Sequence, residues 1–199
     1  MNIRTALLVI VSLLALEGCR SLAISSVSRV SESTTETRSF GRSVDDASLY
    51  TRINHHFLQS DVSGLLTNIT VRVYEGRVFL FGRVKGQRTA DDAERLVWLA
   101  DGVKEVVNEI QVGDDGNAID FANDEAIETQ ISTRLLATKG IHSANFTSEV
   151  VHGVAYLIGT ARDERELNAV VQVARRTSGV KRVVSHVRIK GDPAATPDA

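Results

Sequence analysis

Two stretches of the chain carry the same order of apolar and polar positions. Leu49, Ile53 and Phe57 recur every fourth residue, one stripe of an amphipathic helix. Ile69, Val71 and Val73 then alternate with Thr70 and Arg72, as a half-buried strand does. Glu75-Gly76 separates this run from Val78 to Phe81, and the glycine supplies the positive φ of a tight hairpin turn. Ala93, Leu96, Val97 and Ala100 follow at i, i+3, i+4 and i+7, predicting a second helix. Gly102 lies just past it as a stop residue, and Val106 to Val112 closes the series as a third strand.

The whole series is written again further along. Val73-Tyr74-Glu75-Gly76 answers to Val150-Val151-His152-Gly153, and Gly102-Val103-Lys104-Glu105-Val106-Val107 to Gly179-Val180-Lys181-Arg182-Val183-Val184, both at one constant spacing. Ile127, Ile131 and Leu135 repeat the first helical stripe, Leu167, Val170, Val171 and Ala174 the second, and Val183 to Ile189 the last strand. A fixed-period repeat decides architecture before any other feature does. The chain is therefore read as α+β, two tandem α-β-β-α-β units over residues 45–113 and 123–191, joined by a linker at 114–122. In each, two helices cover one face of a three-stranded mixed sheet, and the second helix is a right-handed crossover to a parallel strand. Units this small are marginal alone, so the copies are expected to pack on each other. Asp45-Asp46 and Asn123-Asp124 are read as the helix starts, where a side-chain oxygen caps free N–H groups.

The N-terminus has a different pattern. Met1 to Arg4 carries one positive charge, and the apolar run Ala6 to Leu16 spans about 11 residues, too few for a helix that must cross a bilayer with roughly 20. Its length and flanks fit a secretory signal over residues 1–18. It ends Leu16-Glu17-Gly18-Cys19, which resembles the lipobox of bacterial lipoproteins, with Glu17 at a position usually small or apolar. Cys19 is the expected lipidation site and mature N-terminus. Two or more acyl chains give stable anchoring where one does not. Arg20, where an aspartate would retain the protein in the inner membrane, points to the outer membrane. Residues 19–44 read as a lipidated flexible tether and 192–199 as a disordered tail, both too poor in periodic apolar residues to order themselves.

Composition narrows the chemistry. A net charge of −2 over 199 residues gives no global attraction to nucleic acid. Cys19 is the sole cysteine, so no internal disulfide can form. No metal-binding motif completes itself around His55, His56, His142, His152 or His186, and no cofactor fingerprint or nucleophile elbow is present. Asp91-Asp92 and Asp163-Glu164 are read as helix starts favoured by the dipole. Asp114-Asp115 in the linker lacks the spaced oxygen ligands of a calcium loop. Arg175, Arg176, Lys181 and Arg182 gather near the end of the last helix. They are either a solvated helix end or a site for anionic headgroups or an acidic partner.

The element order, the hairpin glycine, the glycine ending the second strand and the Gly-Val-x-x-Val before the third resemble the BON domain. The stretches that carry this most specifically are residues 42–46, Asn123-Asp124, Arg134-Leu135-Leu136 and residues 178–183. Two such units behind a lipobox resemble the dual-BON outer-membrane lipoproteins of the DolP-like family. The resemblance implies a non-enzymatic, cofactor-free protein, lipid-anchored in the outer membrane and facing the periplasm. It implies that the second unit binds anionic phospholipid of the inner leaflet, supporting envelope integrity and localisation towards division sites. The contact surface it implies is the first helix of that unit, at Ala126 and Leu136 with Arg134 nearby. Leu136 is read either as a lipid contact or as core. A protein adaptor for an outer-membrane assembly or peptidoglycan-linked partner is the second reading.

Overall fold

The computed structural model describes residues 34–113 and 118–191. The signal segment, Cys19, most of the tether, Asp114-Asp115 and the tail lie outside the described residues. The chain divides into two compact units, 1–41 and 42–199, and both repeats belong to the second.

Helix α1 runs Thr34–Gln59, so it begins ahead of Asp45-Asp46 and takes in residues read as tether. Extension adds one hydrogen bond per residue once a helix is nucleated, and Glu36 and Arg38 are good helix formers. Leu49, Ile53 and Phe57 face the core as the four-residue spacing requires. A single helical turn, α2 (Leu65–Asn68), buries Leu65 and leads into β1 (Ile69–Tyr74) and β2 (Arg77–Val84). These pair antiparallel from Ile69 with Gly82 to Tyr74 with Arg77. Both turn residues have positive φ, 54° at Glu75 and 80° at Gly76, the conformation of a type I′ hairpin.

Helix α3 runs Gln87–Val97 and buries Ala90, Ala93, Leu96 and Val97. It starts after Gly86, so Asp91-Asp92 is not its beginning. Asp91 instead accepts from Gln87 Nε2 at 2.8 Å and Asp92 from Arg95 at 2.9 Å. The last strand of the repeat is parallel to β2, as the crossover demands, but is broken into β3 (Glu105–Asn108) and β4 (Gln111–Val112). At the break, Asn108 Oδ1 accepts from the Ile110 N–H at 3.1 Å, a local side-chain bond that competes with the ladder.

The second repeat follows the same plan. Helix α4 (Ala118–Ala137) again starts early, inside the expected linker, with Asp120 rather than Asn123-Asp124 in its first turn. A 3-10 turn (Ser143–Asn145) leads to β5 (Phe146–Val151) and β6 (Val154–Ala161). Helix α5 (Glu164–Arg175) is capped by Asp163, whose side chain accepts from the Glu166 N–H, as the acidic pair there predicts. Strand β7 (Arg182–Ile189) pairs parallel with β6 along its full length.

Each sheet has its helices on one face and its partner sheet on the other. Leu49, Ile53, Val71, Leu80 and Val97 belong to the first helix-facing core, and Ile131, Leu135, Val150, Leu157 and Val170 to the second. Phe79, Phe81, Val151, Tyr156 and Ile158 form a third core between the sheets. Strands β2 and β6 are thus buried on both faces, which explains their near-continuous apolar runs. The Phe81 and Tyr156 rings meet with centroids 4.8 Å apart.

Candidate functional site

The aspartates expected to cap the first helix of each repeat lie inside the helix and hold the hairpin turn instead. Asp46 accepts from the Glu75 and Gly76 N–H groups at 2.7 and 2.8 Å. Asp124 does the same for His152 and Gly153 at 2.6 and 2.9 Å. A type I′ turn leaves its central N–H groups without a ladder partner, and a carboxylate is a strong acceptor for both. His152, at φ 52°, is therefore a turn residue. His186 is structural too, with Nε2 2.9 Å from Glu109 Oε1.

The residues expected to meet lipid divide into separate groups. Ala126 and Lys181 line one hollow of about 350 Å³ beside Gly179, and Lys181 Nζ donates to the His152 carbonyl at 3.2 Å. Arg134 does not line this hollow, and its guanidinium donates to the Arg176 carbonyl at 2.9 Å. That bond gathers Arg134, Arg175 and Arg176 at the C-terminal end of α5. Among the described residues no carboxylate pairs with any of the three. Arg182 is exposed at the start of β7. Leu136 is 75% exposed, which removes the core reading. Successive helical positions differ by about 100°, so Leu136 and Arg134 leave α4 on nearly opposite sides.

Glu166 is a buried hub that the sequence reading missed. Its carboxylate accepts from the His142 and Arg162 N–H groups, both at 2.8 Å, and from Arg162 Nε at 2.9 Å. Burial pushes its pKa up, but these bonds and the Arg162 charge outweigh it and hold the group at about 2. Among the described residues no three His, Cys, Asp or Glu side chains converge as a metal site.

A groove of about 620 Å³ lies between α4 and the first sheet. On its border Arg72 Nη2 reaches Glu149 at 2.8 Å and Glu128 at 4.0 Å. Burial and the neighbouring Glu149 charge, only partly countered by Arg72, raise Glu128 to about 7. Burial also raises Glu149 against the opposing effect of Arg72. The spacing of Arg72 from Glu149 equals the repeat offset, a signal present in the sequence. Glu128 gave none, because Tyr50 holds its place in the first repeat.

A model of the BON domain matches residues 45–114 and 123–191. A protein of the gshII 5′ region of Anaplasma centrale is 44% identical over 148 residues, 74% of this chain and 96% of that protein. The outer membrane lipoprotein DolP of Haemophilus influenzae is 24% identical, covering 85% of this chain and 87% of its own. The osmotically-inducible protein Y of Escherichia coli is 26% identical, with 75% of each chain covered. Among the described residues no helix is long and apolar enough to cross a membrane.

Proposed function

The chain belongs to the BON-domain family, and from that premise we propose that it is an envelope lipoprotein that binds anionic phospholipid through its second repeat. It acts as a binding module, not as an enzyme. The supporting observation is the Arg134, Arg175 and Arg176 cluster, fastened by the Arg134 bond to the Arg176 carbonyl. Guanidinium groups suit phosphate oxygens because their planar donors engage two oxygens at once. Part of the cluster's charge complements the α5 dipole. The remainder is available to an anionic surface, because among the described residues no side-chain carboxylate pairs with it. Ala126 removes the bulk that an aromatic residue would insert at that position, so charge carries more of the affinity than apolar burial does. Leu136 is a separate apolar contact on another side of α4. Acylation at Cys19 holds the protein to the outer membrane, with the repeats on the periplasmic side.

The test is sedimentation of the protein without its anchor on phosphatidylglycerol and phosphatidylethanolamine vesicles at low and high salt. Selective, salt-sensitive binding to phosphatidylglycerol that falls about tenfold or more in Arg175→Glu/Arg176→Glu supports the reading. Binding to neither vesicle would refute it and favour a protein adaptor. Cys19→Ala is expected to release the protein from the membrane fraction, and unchanged fractionation counts against the anchor.

A further inference from the structure

The groove beside α4 has a chemistry unlike that of the arginine cluster. Its volume of about 620 Å³ lies within the range of ligand sites. Five carboxylates line it against two guanidinium groups. The two guanidinium groups leave an excess of three carboxylates along the groove. Arg72 is engaged by Glu149 at 2.8 Å, and Arg83 lies against Gly113, with Nε buried. Asp124 is bonded to the hairpin N–H groups. Among the described residues, Glu128 has a 4.0 Å approach to Arg72 and a hydrogen bond from the Val150 backbone at the outer edge of β5. Glu125 is exposed one turn away.

The groove also has an apolar wall. Phe121 is 63% exposed and lines it together with Val150 and Val151. An acidic stretch and an exposed ring in one groove match the two parts of a lysine or arginine side chain, whose aliphatic stem covers apolar surface while its head stays with charge. The first repeat has no counterpart, since Ser43, Ala47 and Tyr50 stand where the second has Phe121, Glu125 and Glu128.

We propose that this groove docks a basic, extended segment of a partner protein, seating a lysine or arginine head against Glu128 with its stem along Phe121. Charge complementarity selects the occupant, because an anionic segment would add to an acidic excess that the two arginines do not offset. Glu128, held at about 7, is partly protonated at neutral pH. A cation seated there therefore releases a proton, which separates this site from diffuse attraction to surface carboxylates.

The experiment titrates the full-length protein in detergent with pentalysine, and with the same peptide acetylated on every Nζ, near neutral pH. Calorimetry in two buffers of different protonation enthalpy reads the proton release. Pentalysine is expected to bind with net proton release and the acetylated peptide to bind at least about tenfold more weakly. Glu128→Gln is expected to lose about tenfold in affinity and the proton release together, and Phe121→Ala to lose affinity while keeping the release. Glu128→Gln removes a charge that burial opposes, so its fold is retained and a loss of binding is not a loss of structure. No binding of pentalysine, equal binding of the acetylated peptide, or unchanged binding by Glu128→Gln overturns the proposal. None of these outcomes depends on whether the arginine cluster binds vesicles.

Discussion

Arg72 and Glu149 occupy the same position in the two repeats and meet each other, Nε to Oε2, at 2.9 Å. Glu109 and His186 repeat the relationship at the same sequence separation, at 2.9 Å. Equivalent residues touch where a pseudo-two-fold axis crosses an isologous interface, so the sheets pack as two subunits of a homodimer would. In a true homodimer each of these positions would face its own copy, and Arg72 would meet arginine. Duplication within one chain let the two copies diverge into opposite charges.

The charge on each side of that contact is therefore expected to matter through its sign. Arg72→Glu, which sets three glutamates together, is predicted to destabilise the protein by about 2 kcal/mol or more. Arg72→Glu/Glu149→Arg is predicted to recover part of the loss. Chemical denaturation of the two single variants and the double variant measures the coupling. Strict additivity would show that the pair contributes nothing across the interface.

The turn clamps give a second expectation. Asp46→Ala and Asp124→Ala each leave two hairpin N–H groups without their carboxylate, which costs about 1 to 3 kcal/mol. The loss should appear as a lower denaturation midpoint with an unchanged denaturant slope. An effect below about 0.5 kcal/mol at both sites would mean that water replaces the carboxylate.

Gly82 and Gly159 adopt φ of 128° and 145°. A Cβ at either would collide with a backbone carbonyl, that of Asn68 or Asn145. Ala at either position is predicted to cost more than about 3 kcal/mol, since neither backbone strain nor a main-chain clash can be relieved by a rotamer change. Gly86→Ala, with nothing near its Cβ, is the tolerated control, and thermal melting compares all three.

Stability is expected to decline on both sides of mildly acidic pH. Glu128 stands at about 7 folded against 4.5 as its ordinary value, so between these values the folded chain binds the extra proton. Stability therefore falls as pH rises through that window, by at most about 3 kcal/mol before solvent screening reduces it. Glu149 is shifted in the same direction. Glu166 works in reverse, because its folded pKa of about 2 lies below 4.5. Its contribution is complete above 4.5 and is lost as pH falls towards 2. Glu128→Gln should flatten the neutral limb and Glu166→Gln the acidic one, as read from denaturation midpoints across pH.

Much of the fold was legible because it rests on periodicity. The four-residue stripe through Leu49 and Phe57, the alternation through Ile69 and Val73, and the Glu75-Gly76 turn each depend on neighbours along the chain, and the repeat states each of them twice. What failed was local chemistry read without its tertiary partner. Asp46 before an apolar stripe looks like a cap, but its two acceptors serve a hairpin some thirty residues away.

The sequence alone determined the two-copy α+β plan, the strand order within each copy and the candidate anchor at Cys19, because apolar period, turn residues and a signal pattern are local properties. Only the tertiary structure decided that the sheets pack face to face, that Arg72 meets its own equivalent, and that Arg134 and Leu136 leave α4 on different sides. It alone placed Glu128 beside an acidic groove. Those features arise from burial and from the directions of side chains on separate elements, which no spacing along the chain encodes.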